Sequence, residues 1–172
     1  MERKTFLLLA MGFIIAITAD TSSKAWAESA LQPGQPVSVL GDFFQLILGY
    51  NTGVAFGMLA NVGIVSTILP AIVIVGLSIW FFRALRAREL PQASALALGF
   101  ILGGALGNFL DRVADGRVTD FLDVGIGALR LPTFNAADSF VVVGVALLLA
   151  LNLTDKRADR GATHQTAGAN AE

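Results

Sequence analysis

A chain of 172 residues that is 55% hydrophobic and only 15% charged is far more apolar than a soluble domain of its size, and it reads as an integral membrane protein. A formal net charge of -1 argues against nucleic acid as a partner. With no cysteine the sequence excludes disulfides, thiolate nucleophiles and cysteine-based metal centres, and its one histidine, His164, stands in a polar tail, so carboxylates are the chemistry that remains.

Apolar runs at 6–19, 62–82, 93–110 and 136–153 predict spans near 6–24, 62–82, 93–112 and 136–154 within one membrane-embedded domain, 1–155. The tail, 156–172, is rich in Ala, Gly, Thr and charge and predicts disorder. The first run follows Arg3 and Lys4, and with Ala25-Trp26-Ala27 behind it the segment imitates a cleavable secretory signal. Asp20 and Lys24 make the stretch before Ala25 too polar and too long for that, which favours a retained span.

The loop 20–61 contains "PVSVLGDFFQLILGYNTGVAFGML", too polar to span and too apolar to be free loop. Residues 37–50 therefore predict short strands or a turn of helix at the membrane surface, with Gly41, Gly49 and Gly53 as turn points; a packing loop is the plainer alternative. The short loop after the second run holds Arg83, Arg86 and Arg88, and the last run is followed by Lys156, Arg157 and Arg160. With Arg3 and Lys4 these clusters mark the cytoplasmic side, so both termini are expected inside and 20–61 and 111–135 outside. Arg112, Arg117 and Arg130 break the pattern, but each stands among aspartates that can pair with it.

The third run ends in "GGALGNFLDRVADG". Gly103, Gly104 and Gly107 permit close helix packing, and Asn108, Asp111 and Arg112 fall at i, i+3 and i+4 on one face. The structural alternative is a helix end marked by an ion pair between Asp111 and the neighbouring Arg112. Next, "RVTDFLDV" has the β-branched and aromatic content of a strand and sets Asp120 beside Phe121 and Leu122, an apolar setting that raises a carboxyl pKa. In "LPTFNAADSFVVVG", Pro132 stops the preceding segment, Asn135 suits an N-cap, and Asp138 three residues on completes a capping box.

Capping accounts for Asn135 and Asp138 structurally, yet Asp120 and Asp138 also flank one short outer loop in a chain with few other catalytic groups. Two carboxylates sharing a proton make a hydrolytic engine: the acid polarises a peptide carbonyl while the carboxylate takes a proton from water. The helix N-terminus favours an ionised Asp138, and Asp120 becomes the candidate for the protonated partner, the pair titrating as a unit. Three rival readings use the same residues. A metal-dependent lipid-head-group transferase would hold Mg²⁺ with Asp111, Asp115, Asp120 and Asp123, but charge bias puts these acids on the side away from nucleotide. An ion-conducting subunit needs acids at mid-span, where this chain has none. A Ser-Lys hydrolase on Ser22 or Ser23 with Lys24 needs neighbouring residues to face each other on a helix.

Asp20 to Lys24, "NTGVAFG", "GNFLDRV", "VTDF" and "FNAADS", in that order, resemble the type II signal peptidases, the bacterial lipoprotein signal peptidases. The resemblance runs from the first span through the fourth. It implies an all-α membrane protein of four transmembrane helices with a small extracytoplasmic β element, in the bacterial cytoplasmic (inner) membrane with its active site facing outward. The implied activity is that of an intramembrane aspartyl endopeptidase, a hydrolase that removes the signal peptide of a diacylglyceryl-modified prolipoprotein by cutting before the lipidated cysteine. The implied partners are that lipidated prolipoprotein and membrane lipid, with the enzyme a monomer; no metal or organic cofactor is implied. Carried over by motif, Asp120 and Asp138 are the expected catalytic dyad, with Asp20, Asn51, Gly53, Asn108, Arg112 and Asn135 as substrate-binding or supporting residues. Ala55 and Phe56 match further positions, and Phe43, Phe44 and Phe56 are candidates for lining a lateral substrate path, lipid-facing packing being the alternative. Where the family shows Asp-Gln-x-Ser/Thr-Lys, this chain has Asp20-Thr21-Ser22-Ser23-Lys24. Asp115 and Asp123 match no position; Asp115 reads as a turn acid, and Asp123→Asn is expected to be nearly silent.

Overall fold

The structure, a computed structural model, describes residues 2–53, 65–87 and 91–151. Helix α1 runs Glu2–Ala30. Its 29 residues at about 1.5 Å each reach about 43 Å, past a hydrocarbon core of about 30 Å, so the last turns stand outside the apolar run. The span expected near 6–24, with a loop from residue 20, is corrected by this: the helix continues to Ala30. Hydropathy scores Asp20 and Lys24 as loop-like, but they lie one turn apart, pair with each other and are buried at 1% and 4% exposure. Ala25, Ala27 and Ala30 add strong helix formers. Ala27, in the stretch that imitates a cleavage site, is buried with Leu31, Leu48 and Phe121.

Helices α2 (Val65–Ala87), α3 (Gln92–Asp115) and α4 (Ala136–Leu151) complete the helical part as described. The first three helices are long and apolar enough to cross a membrane; α4 is apolar and described over a shorter length. Ile14, Ile72 and Val142 turn outward at 59%, 62% and 64% exposure, which suits lipid and not water. Inside, Phe81 packs with Ala95, Leu98 and Ile101. The α1–α3 seam depends on glycine: a Cβ on Gly103 would lie 2.7 Å from the Phe13 carbonyl oxygen, so only a bare backbone fits there. At Gly107 a Cβ would collide with the Asp20 carboxylate, so that glycine makes room for a buried acid.

The remaining part is an antiparallel sheet in the order β1 (Val37–Leu40), β2 (Phe44–Asn51), β3 (Val118–Ile126), β4 (Leu129–Arg130). Residues 37–50 thus form strands, joined by a turn in which Gly41 takes φ 53°. Gly49 is a strand residue at a register shift and not a turn point, and Gly53 lies in a bend after β2. Helix α3 ends at Gly116, whose N–H still reaches the Arg112 carbonyl at 3.1 Å and whose φ of 68° then turns the chain into β3. After β4 the chain returns along β3, where Leu122 and Phe134 exchange backbone hydrogen bonds of 2.8 and 3.0 Å. That exchange delivers Asn135 to the side of Asp120. Ala55, Phe56, Arg88, Lys156, Arg157, Arg160, His164 and the tail 156–172 lie outside the described residues.

Candidate active site

The site is built on the N-terminus of α4, where four backbone N–H groups lack helical partners. Asn135 and Asp138 form the expected capping box: the Asp138 N–H donates to Asn135 Oδ1 at 3.0 Å, and the Asn135 N–H donates to Asp138 Oδ2 at 3.2 Å. A third group, the Ala137 N–H, donates across the bundle to Asp20 Oδ1 at 3.0 Å. Asp20 is therefore a cap supplied by another helix.

Asp120 projects from the middle of β3 at 3% exposure. Asn135 Nδ2 donates to its Oδ1 at 2.7 Å and Asn51 Nδ2 to its Oδ2 at 3.2 Å. Its cross-strand partner is Gly49, which offers no side chain to cover it. Burial, and next the negative charge of Asp138, push the Asp120 carboxyl up from 3.8 to about 6, while the two amide donors pull the other way. One residue, Asn135, thus touches both acids, Asp120 through its side chain and Asp138 through its backbone.

Asn108 on α3 faces the same point. Its Nδ2 donates to Asp138 Oδ1 at 2.9 Å, and its Oδ1 accepts from Lys24 Nζ at 2.9 Å and Asn135 Nδ2 at 3.1 Å. Arg112 donates to the Asn108 carbonyl at 3.0 Å and to the Gly53 carbonyl at 2.7 Å, joining α3 to the end of β2. Gly53 in turn donates its N–H to Asn51 Oδ1 at 2.8 Å, which orients the amide that reaches Asp120. Asp20, Asn51, Gly53, Asn108, Arg112, Asp120, Asn135 and Asp138 all belong to this one connected network.

One pairing differs from expectation, and the expected pairing of Arg130 with an aspartate is present. Asp111 pairs with Lys24 of α1 at 2.8 Å and not with Arg112, because the Arg112 guanidinium reaches the Asn108 and Gly53 carbonyls. Asp123 is buried at 3% exposure and takes Arg130 Nε on both oxygens, at 3.0 and 2.8 Å, while Arg130 Nη1 reaches the Asp42 carbonyl at 2.8 Å. Asp123→Asn would therefore cost stability through Arg130, away from the Asp120 and Asp138 carboxylates. Asp115 is exposed just ahead of the Gly116 cap, and Arg117 stacks on the Tyr50 ring at 3.7 Å. Asp111, Asp120 and Asp123 each have a separate partner, Lys24, the Asn51 and Asn135 amides, and Arg130. Phe43 is exposed, beside the β1–β2 turn, and Phe44 is half-buried in β2.

Sequence reasoning missed Lys24 as a member of the network, although its spacing of four from Asp20 was a readable signal. It also missed Thr119, whose Oγ1 donates to Glu28 Oε1 at 2.6 Å and whose carbonyl accepts from Asn135 at 3.2 Å. Nothing local in the sequence joins residues 91 positions apart.

The sequence model of the family described as signal peptidase (SPase) II matches residues 12–154. Lipoprotein signal peptidases of Brevibacillus brevis and Mycobacterium tuberculosis are 36% identical over 146 residues and 39% identical over 157 residues. The alignments cover 85% of this chain and 95% of the first relative, and 88% and 73% for the second. A solved structure described as a bacterial membrane enzyme, determined by the in meso method at 2.3 Å, superposes with a TM-score of 0.75 at 28% identity, covering 86% of this chain and 88% of that one. Apolar helices around a buried carboxylate site, with these likenesses, define the class: a multi-pass membrane protein that is a peptidase. Within that class the chain belongs to the signal peptidase II family, the lipoprotein-processing signal peptidases.

Proposed function

We propose that the chain is an intramembrane aspartyl endopeptidase that removes the signal peptide of diacylglyceryl-modified prolipoproteins, cutting before the lipidated cysteine, with Asp120 and Asp138 as its catalytic pair. The observation that carries the reading is the double contact of Asn135, which holds a buried carboxylate, Asp120, and a half-buried one, Asp138, in one hydrogen-bonded unit. Asp138 at a helix N-terminus is the carboxylate and Asp120, pushed up to about 6, the acid. Asp138 takes a proton from water as the water oxygen attacks the scissile carbonyl, and Asp120 gives its proton to the carbonyl oxygen. Collapse of the resulting gem-diol breaks the C–N bond; the proton on Asp138 goes to the leaving nitrogen and Asp120 recovers its own.

The bundle is read as four transmembrane helices in the bacterial inner membrane with both termini cytoplasmic, acting as a monomer. The sheet then lies on the outer surface beside the dyad, and a lipidated substrate arrives from the bilayer. The test is cleavage of a diacylglyceryl-modified prolipoprotein by the purified protein, with unlipidated precursor as control. Asp120→Asn and Asp138→Asn should each cost about 10² to 10⁴-fold or more in rate while the protein stays inserted, and EDTA should have no effect. Cleavage by either variant near the wild-type rate would overturn the assignment.

A further inference from the structure

Lys24 lies under the site, at 4% exposure, without touching either acid of the proposed pair. Its Nζ donates to Asp20 Oδ2 at 2.7 Å and to Asn108 Oδ1 at 2.9 Å, and it forms an ion pair with Asp111 Oδ2 at 2.8 Å. Two of these three neighbours are carboxylates, so the ammonium is fixed between opposite charges with one hydrogen bond directed at Asn108. Asn108 is what connects it to the chemistry.

A side-chain amide can turn end for end, and its two ends have opposite hydrogen-bonding character. With Oδ1 toward Lys24, Asn108 presents Nδ2 to Asp138 and donates to Oδ1 at 2.9 Å. Reversed, it would set its NH₂ against an ammonium and its carbonyl against a carboxylate. Asn135 Nδ2 also donates to Asn108 Oδ1 at 3.1 Å, but it shares its two hydrogens with Asp120 Oδ1 at 2.7 Å and the Thr119 carbonyl at 3.2 Å, so it is the weaker hold on Asn108. A lysine has no acceptor. We propose that Lys24 is a positioning residue that acts through Asn108: it fixes the amide so that an N–H is always directed at Asp138, which keeps that carboxylate ionised and ready to take a proton from water. The charged groups around Asp138 are Asp20 and Lys24 of α1, Asp111 and Arg112 of α3, and Asp120 of β3. Arg112 is committed to two backbone carbonyls, which leaves Lys24 as the cation on the Asn108 side chain.

The inference rests on the aspartyl reading above, and its test separates the two. The pH dependence of kcat/KM for lipidated prolipoprotein is measured for wild type, Lys24→Met, Lys24→Arg, Asn108→Ala and the double variant Lys24→Met with Asn108→Ala, each checked for folding by thermal unfolding in detergent. Lys24→Met should move the acidic limb to higher pH by roughly one unit, the scale of one lost hydrogen bond to a charge. Lys24→Arg, also a donor-only cation, should bring the limb back to within a few tenths. Asn108→Ala should move it as Lys24→Met does, and adding Lys24→Met to it should move it no further. A limb that stays put while the rate falls would mean that Lys24 only packs, and shifts that add in the double variant would mean that its charge acts directly; either overturns the inference. If Lys24→Met does not fold, Lys24→Gln carries the same comparison with and without Asn108. A flat wild-type profile, or active Asp138→Asn, would instead sink the aspartyl reading itself, whatever Lys24 does.

Discussion

Asp120→Asn should make this protein more stable at about pH 8 and less stable at about pH 4. Burial and the charge of Asp138 push the Asp120 carboxyl from 3.8 to about 6, so between those values the folded protein holds a proton that the unfolded chain has released. The stability this group contributes is therefore fully present below about 4 and is lost as pH rises through about 6. Two pH units at about 1.4 kcal/mol each amount to roughly 3 kcal/mol lost by pH 8. Asparagine is never charged and escapes that loss. Its NH₂, however, must face one of the two amide donors now at 2.7 and 3.2 Å, which costs about 1 to 2 kcal/mol at every pH. The balance is a gain of about 1 to 2 kcal/mol at pH 8, a loss of about the same size at pH 4, and stability curves that cross near about pH 5. Thermal unfolding of both proteins in detergent micelles across this range reads the difference directly. A melting difference of constant sign and size from pH 4 to 8 would refute the reasoning, since it would mean that Asp120 is neither strained by burial nor coupled to Asp138.

Asp123→Asn should lower thermal stability by about 1 to 2 kcal/mol, because Arg130 loses its carboxylate, while cleavage per folded molecule is unchanged. Gly107→Ala drives a methyl into the Asp20 carboxylate, so it should reduce both folded yield and turnover, and an equal yield of fully active protein would contradict the packing described. The rate of cleavage should be bell-shaped in pH, falling on the acid side as Asp138 gains a proton and on the basic side as Asp120 loses one, measured where chemistry limits the rate. A phosphatase fused after Glu172 should be inactive, as a cytoplasmic C-terminus requires; an active fusion would reverse the proposed orientation.

How much of this was legible depended on whether the physics was local. Apolar runs exposed the helices because hydropathy is read one segment at a time, and "RVTDFLDV" exposed β3 through its β-branched and aromatic residues. The cap at Asn135 and Asp138 was readable because both halves lie within one helical turn. The end of α1 was not, since Asp20 and Lys24 look like loop residues until α3 and α4 supply Asn108, Asp111 and the Ala137 N–H. The partner of Asp111 was misread for the same reason, whereas Arg130 was readable as paired with an aspartate but not which one. In the first case the adjacent arginine was committed to carbonyls contributed by other parts of the fold, and in the second the arginine arrived on β4, seven residues away.

The box that closes the start of α4 has a consequence for inhibition. Asn135 and Asp138 hold each other and the helix end in place with the same two side chains that serve the proposed reaction. A compound that hydrogen-bonds to the half-buried Asp138, itself held by the fully buried Asn135, would be hard to evade by mutation. A substitution that weakens its grip also uncaps the helix, at a typical cost of about 1 kcal/mol, and turns or removes the group that the reaction needs. Escape would have to come from elsewhere, through residues that shape the approach from the bilayer, and a small inhibitor confined to the floor of the site would give those residues little to act upon.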